Sequence, residues 1–150
     1  MRIRHPLFVT GTFFLVVLAF FSFFHRYNTF PDPDAFYHTK MAMLAREGIF
    51  PRTFSWLPYT TLAHAFADQQ LLYHLFLVPF VTIFPPLLGT QYANTLLVTT
   101  ALLAFFFFIR SFAPSSALFA TGTLFAAPSF LIRLLFGKAQ PLALFFLFLL

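Results

Sequence analysis

Apolar residues dominate four stretches of the chain, Pro6 to Phe24, Leu71 to Phe84, Thr95 to Ile109 and Ala117 to Leu135, and a fifth opens at Pro141. The first is 19 residues long, enough to cross a hydrocarbon core of about 30 Å at ~1.5 Å per residue. It follows "MRIRH", and the "FFSFFHRYNTF" at its end offers no small-residue cleavage site, so it reads as an uncleaved anchor and not a signal peptide. Leu71 to Phe84 is shorter, carries Tyr73 and His74, contains Pro79 and runs into Pro85-Pro86. Such a stretch belongs to the interfacial or re-entrant class. The last ten residues, "PLALFFLFLL", stop inside an apolar run, the pattern of a truncated chain.

Arg2 and Arg4 place the N-terminus in the cytoplasm, because Lys and Arg favour that side. The chain from His25 onward then faces out. If Leu71 to Phe84 lies on the membrane surface, Gly89 to Ile109 runs inward, Arg110 sits in a cytoplasmic turn, and Ala117 to Leu135 returns outward with Arg133 and Lys138. If it spans instead, Arg110 is external and the next connection has no basic residue. The first arrangement satisfies the charge bias better. The expectation is therefore an all-α, polytopic membrane protein with about four spans, near 6–24, 89–109, 117–135 and 141 onward. An outer loop over 25–88 bears two interfacial helices.

Composition supports this class: 60% of residues are hydrophobic, 9% are charged and 27 are phenylalanine, against roughly 25% charged residues in a soluble domain. The net charge of +5 is spread through apolar sequence with no basic stripe, which argues against nucleic acid. Without a cysteine, the chain has no disulfide, thiol nucleophile or thiolate metal site.

All four acidic residues and four of the five histidines fall in the outer segment. There "DPDAFYHTKMAMLAREG", residues 32–48, reads as a short helix, with Asp32 as N-cap, Pro33 at the first helical position, Asp34 near the positive end of the macrodipole and Gly48 past the C-terminus. Tyr37, Met41 and Leu44 share one face, and Asp34, His38, Ala42 and Ala45 another. Asp34 and His38, one turn apart, are a candidate base and partner or a candidate metal pair. Helix-start chemistry alone also accounts for both aspartates. A second cluster, "HAFADQQLLYH", holds His64, Asp68, Tyr73 and His74; Asp68 and His74 are additional candidates, or a helix cap and an interface anchor. Between the two clusters, Trp56 and Tyr59 suit a loop at headgroup depth. A third feature, "PSFLIRLLFGKAQP", ends an apolar run in Arg133 and Lys138. These are snorkelling residues at a membrane boundary or a phosphate clamp, the guanidinium acting bidentately and the ammonium as a point charge.

The order of these features resembles the GT-C glycosyltransferases: one span, an outer loop opening on "DPDAFYH", a surface helix, then paired spans ending in "P-x-F-L-x-R-x-x-x-G". The closest likeness is to the catalytic subunits of oligosaccharyltransferases, with protein O-mannosyltransferases and lipid A aminoarabinose transferases further off. It covers the whole chain by layout and two short motifs by residue. The resemblance implies the N-terminal part of a polytopic enzyme that transfers sugar from a polyprenyl-linked phosphate or pyrophosphate donor to a protein, glycan or lipid acceptor. It places the reaction on the outer face, most simply of a prokaryotic plasma membrane. It implies Asp34 as the acidic residue of the first outer loop, binding a divalent metal (Mg or Mn) or acting on the acceptor, with Asp32 as partner. Where those subunits carry a second acidic pair after the arginine and glycine, this chain has "GKAQP". The competing reading is a non-enzymatic scaffold or transporter component. Transport is disfavoured because functional charges of transporters lie inside spans, and these spans are nearly free of charge.

Overall fold

The computed structural model describes residues 6–25, 30–55 and 57–149; the expectations for Arg2, Arg4 and Trp56 lie outside them. The described residues are all-α, with seven helices and no strand: α1 (Pro6–Phe24), α2 (Asp34–Arg46), α3 (Leu71–Ile83), α4 (Pro86–Phe112), α5 (Ala117–Thr123), α6 (Pro128–Leu135) and α7 (Gln140–Leu149). Short 3-10 turns occupy Thr61–Ala63 and Leu124–Ala126. Of the about four expected spans, α4 is the one single helix long and apolar enough to cross a membrane among the described residues, while Phe8–Phe24 of α1, α3 and α7 are shorter apolar helices.

α4 is the axis on which the other helices pack. It begins where Pro85-Pro86 ends α3 and restarts the helix, Pro86 being tolerated in a first turn. α1 lies antiparallel to it in a regular register. His25 meets Thr95, Phe13 stacks on Phe106 at 5.3 Å, and Val17, Phe21, Val98 and Leu102 form one buried cluster with Leu134. α7 runs the other way, parallel to α4, with Ala139 and Leu142 against the cluster of Ala93 and Leu97, and Phe148 on Phe105. The end of the bundle that holds the start of α4 therefore also holds the end of α1 and the start of α7.

α2 and α3 lie at that same end. α2 starts as a capped helix: Asp32 Oδ1 accepts the Asp34 amide at 2.8 Å and Pro33 is already helical at φ −64° and ψ −24°. It ends at Gly48, where the Ile49 amide reaches back to the Leu44 carbonyl at 2.9 Å. α3 keeps its helix through Pro79, which supplies no N–H. It buries Tyr73, His74, Leu77 and Val81. At 13 residues α3 is too short to span by itself. It approaches α4 closely at Gly89, where a Cβ would sit 2.7 Å from the Phe80 carbonyl carbon and 3.1 Å from the Val81 nitrogen.

One expected element differs. The run 117–135 is not one helix: the Ala117–Ala126 and Pro128–Leu135 segments meet at 82°. Pro128 has no N–H to continue the ladder, and Ala127 before it takes an extended conformation (φ −104°, ψ 90°), as a residue preceding proline prefers. Apolar length does not register that interruption. The chain still returns to the α2 end of the bundle, because Asn94 Nδ2 donates to the Leu134 carbonyl at 3.0 Å.

Candidate functional site

The first and third sequence features meet. Gly137, at φ 63°, turns the chain from α6 toward α7, and a Cβ added there would sit 3.2 Å from both Ala35 Cβ and the Phe30 ring. A side chain there would carry both the left-handed penalty and a tight contact. The turn delivers the Lys138 ammonium to the start of α2, 2.8 Å from Asp34 Oδ2 and 3.1 Å from Asp32 Oδ2. Asp32 is thus more than a cap. The hydrogen bonds that Lys138 donates to both carboxylates hold its pKa above its ordinary value, Asp34 first. Asp32 is held low chiefly by the Asp34 amide, with Lys138 adding to it. Such partly exposed pairs contribute little to stability, so a folding role does not account for two carboxylates on one ammonium.

His38 does not pair with Asp34, although one turn separates them. It turns into the α2–α3 interface, where its Nδ1 lies 2.8 Å from His74 Nε2; the two rings are 3% and 1% exposed. His74 Nδ1 in turn lies 2.6 Å from Asp68 Oδ2, while Asp68 Oδ1 accepts at 3.0 Å the amide of Gln70, the residue at the N-cap of α3, and does not cap a first-turn amide of the helix. Tyr73 and Tyr37 set ring edges against the histidines, at 5.3 Å from His38 and 5.7 Å from His74. Burial, then the facing His74, pushes the His38 pKa down to about 4, so this ring is neutral at pH 7. His64, by contrast, is exposed.

Arg133 has surroundings of its own. It borders a groove of about 500 Å³ lined by Phe130, Leu134, Ala143, Leu144 and Leu147, with Gln140 the other polar residue. Of the two cations in the expected clamp, Lys138 is held by carboxylates and Arg133 borders an apolar groove.

The resemblance implies a divalent metal at Asp34. Among the described residues no group of three or more His, Asp or Glu converges as a ligand set, and the two carboxylates at the start of α2 already hold an ammonium.

The polar interior of α4 is an element that charge-based reading overlooks. Thr90, Gln91, Asn94, Thr95 and Thr99 are buried on one stripe of an otherwise apolar helix. Thr90 meets Thr39 of α2 at 2.9 Å, Thr95 meets His25 Nδ1 at 2.7 Å, and Asn94 holds the Leu134 carbonyl. This stripe fixes α1, α2 and the end of α6 around the start of α4. Its spacing, polar residues at i, i+1, i+4, i+5 and i+9, was the available signal.

No protein-family description matches the chain, and no curated protein or solved structure is significantly similar to it.

Proposed function

We propose that the chain is the N-terminal part of a membrane glycosyltransferase of the GT-C type, which moves a sugar from a polyprenyl phosphate or pyrophosphate donor to an acceptor on the outer face of a prokaryotic plasma membrane. The observation that carries this reading is the meeting of Lys138 with Asp34 and Asp32, 104 and 106 residues away in sequence, at one end of the bundle. Support for the membrane comes from large apolar side chains left exposed around the helices, among them Phe8, Leu15, Phe107, Phe112, Phe119 and Leu147. Support for an isoprenoid donor comes from the groove of about 500 Å³, whose walls are apolar and whose border carries one guanidinium.

In the reaction an acceptor lone pair attacks the anomeric carbon while the bond to phosphate breaks and the phosphate departs with the electron pair. Arg133 stabilises the charge gathering on the departing phosphate, and Lys138 has a third N–H left over from the two aspartates to do the same. Asp34, the most exposed of the ionic cluster, receives a hydrogen bond from the acceptor. Asp34 and His38 are the groups placed to act on the acceptor's proton.

The test is sugar transfer from a polyprenyl-phosphate-linked donor by the full-length protein in liposomes. Arg133→Gln raises the donor KM about tenfold, the loss of one charge-assisted contact of roughly 1.5 kcal/mol. Absence of transfer from any polyprenyl-linked sugar by the wild type would overturn the proposal and favour a scaffold.

The topology has its own test, to which residues 1–150 contribute no native cysteine. An impermeant thiol reagent on intact cells labels the Asp34→Cys and Lys138→Cys variants and leaves Arg110→Cys unlabelled. Labelling at 110 with protection at 138 reverses the arrangement.

A further inference from the structure

Two histidines buried in mutual contact, with a carboxylate behind them, are an expensive way to join two helices, since each ring must find a partner for its polar atoms. An ionised Asp68 can only accept, so His74 carries its proton on Nδ1 and, when neutral, presents a bare Nε2 to its neighbour. His38 must then donate from Nδ1, which leaves the lone pair of its Nε2 at the far end. The carboxylate therefore fixes both tautomers in sequence, by the logic that orients the histidine of a hydrolytic triad.

We propose that Asp68, His74 and His38 form one proton relay, open at His38 Nε2, which takes the acceptor's proton and stores it as a His74 imidazolium against Asp68. It rests on the glycosyltransferase reading for the identity of the proton's source. The relay geometry does not depend on that reading.

Each proton has a destination. The acceptor's O–H or N–H proton passes to His38 Nε2 as the acceptor bonds to the anomeric carbon. The proton on His38 Nδ1 passes to His74 Nε2. His38 ends neutral with its proton on the opposite nitrogen, and the positive charge rests on His74, 2.6 Å from Asp68. Desolvation opposes a charge on His38 itself, and the relay avoids placing one there. The charged groups facing His38 act both ways, Asp34 on α2 and Asp68 in the loop before α3 favouring a charge on it and His74 on α3 and Lys138 in the turn before α7 opposing one, while Tyr37 and Tyr73 set ring edges against it. Asp68 also lines an open groove of about 230 Å³ with Tyr37, Leu62, Phe66 and Gln70. The starting tautomers return when His38 gives up its Nε2 proton and recovers the Nδ1 proton from His74.

The decisive experiment is 15N-histidine NMR of the full-length chain in lipid nanodiscs, titrated from pH 8 to pH 4. At pH 8 both rings hold their proton on Nδ1. The first proton taken up charges His74 and moves the His38 proton to Nε2. Charging of His38 before His74, or Nε2-protonated rings at pH 8, would sink the relay. Asp68→Asn supplies the second arm. The Gln70 amide retains the side-chain oxygen, so the amide NH2 faces His74 Nδ1, which must now accept. The His74 proton moves to Nε2, the His38 lone pair at Nε2 is lost, and sugar transfer at neutral pH falls about 100-fold or more. Unchanged tautomers and rate in Asp68→Asn would overturn the assignment. If the wild type transfers no sugar but titrates through His74 in this way, the glycosyltransferase reading fails and the relay stands with a different proton source.

Discussion

Asp34→Asn in the full-length protein lowers sugar transfer about 100-fold or more, whereas Asp32→Asn stays within roughly tenfold of the wild type. The two carboxylates share the Lys138 ammonium, at 2.8 Å for Asp34 and 3.1 Å for Asp32, yet they are placed differently. Asp32 spends one oxygen on the Asp34 amide, and asparagine serves that capping role about as well as aspartate. Asp34 has no such duty and its side chain is 59% exposed against 16% for Asp32, so its second oxygen remains open to an acceptor. Replacing it with the amide preserves shape, removes the negative charge and leaves Asp32 to hold the lysine. Initial rates at saturating donor check the comparison. Normal transfer by Asp34→Asn removes it from the mechanism, and equal losses in both variants make the pair a single electrostatic unit.

Gly89→Ala destabilises the protein by about 1–3 kcal/mol, lowering the midpoint of thermal unfolding in detergent, while Gly11→Ala leaves it unchanged or raises it. At Gly89 the new methyl overlaps the Phe80 carbonyl, a backbone group of α3 that no rotamer change can move aside. The helices must separate, loosening the packing of Tyr73, Leu77 and Val81 against Ala93 and Leu97. At Gly11 the methyl meets nothing within 4 Å, and alanine is the better helix former. Equal midpoints for the two variants would mean that the close approach at Gly89 does not hold α3 to α4.

Local signals in the sequence proved the most legible part of the fold. The cap at Asp32 and the stop at Gly48 bracket α2 because both act through bonds within a few residues. Partnerships across elements were not legible. Spacing puts Asp34 and His38 on one face of a helix, but which of them turns to Lys138 and which to His74 depends on how α3 and the 137–138 turn pack, over separations of 36 residues and more. The break at Pro128 lay in plain sight as a proline within an apolar run. A reading by hydropathy passes over it, because hydropathy counts side chains and the break is a matter of backbone hydrogen bonds. The Asp68–His74 contact has the opposite character: six residues apart, it was within reach once Asp68 was placed just ahead of α3.

The bend at Pro128 bears on how a long substrate is handled. Where a helix is interrupted at membrane depth, its loosened backbone is tolerated only against protein or along a cavity, and here the interruption lies just ahead of the groove-lining residues Phe130, Arg133 and Leu134. On the proposed reading, the first isoprene units lie along the apolar walls with the phosphate at Arg133, while the rest of the tail stays dissolved among the lipids. The enzyme would then measure the head of its donor and be indifferent to the length of the tail.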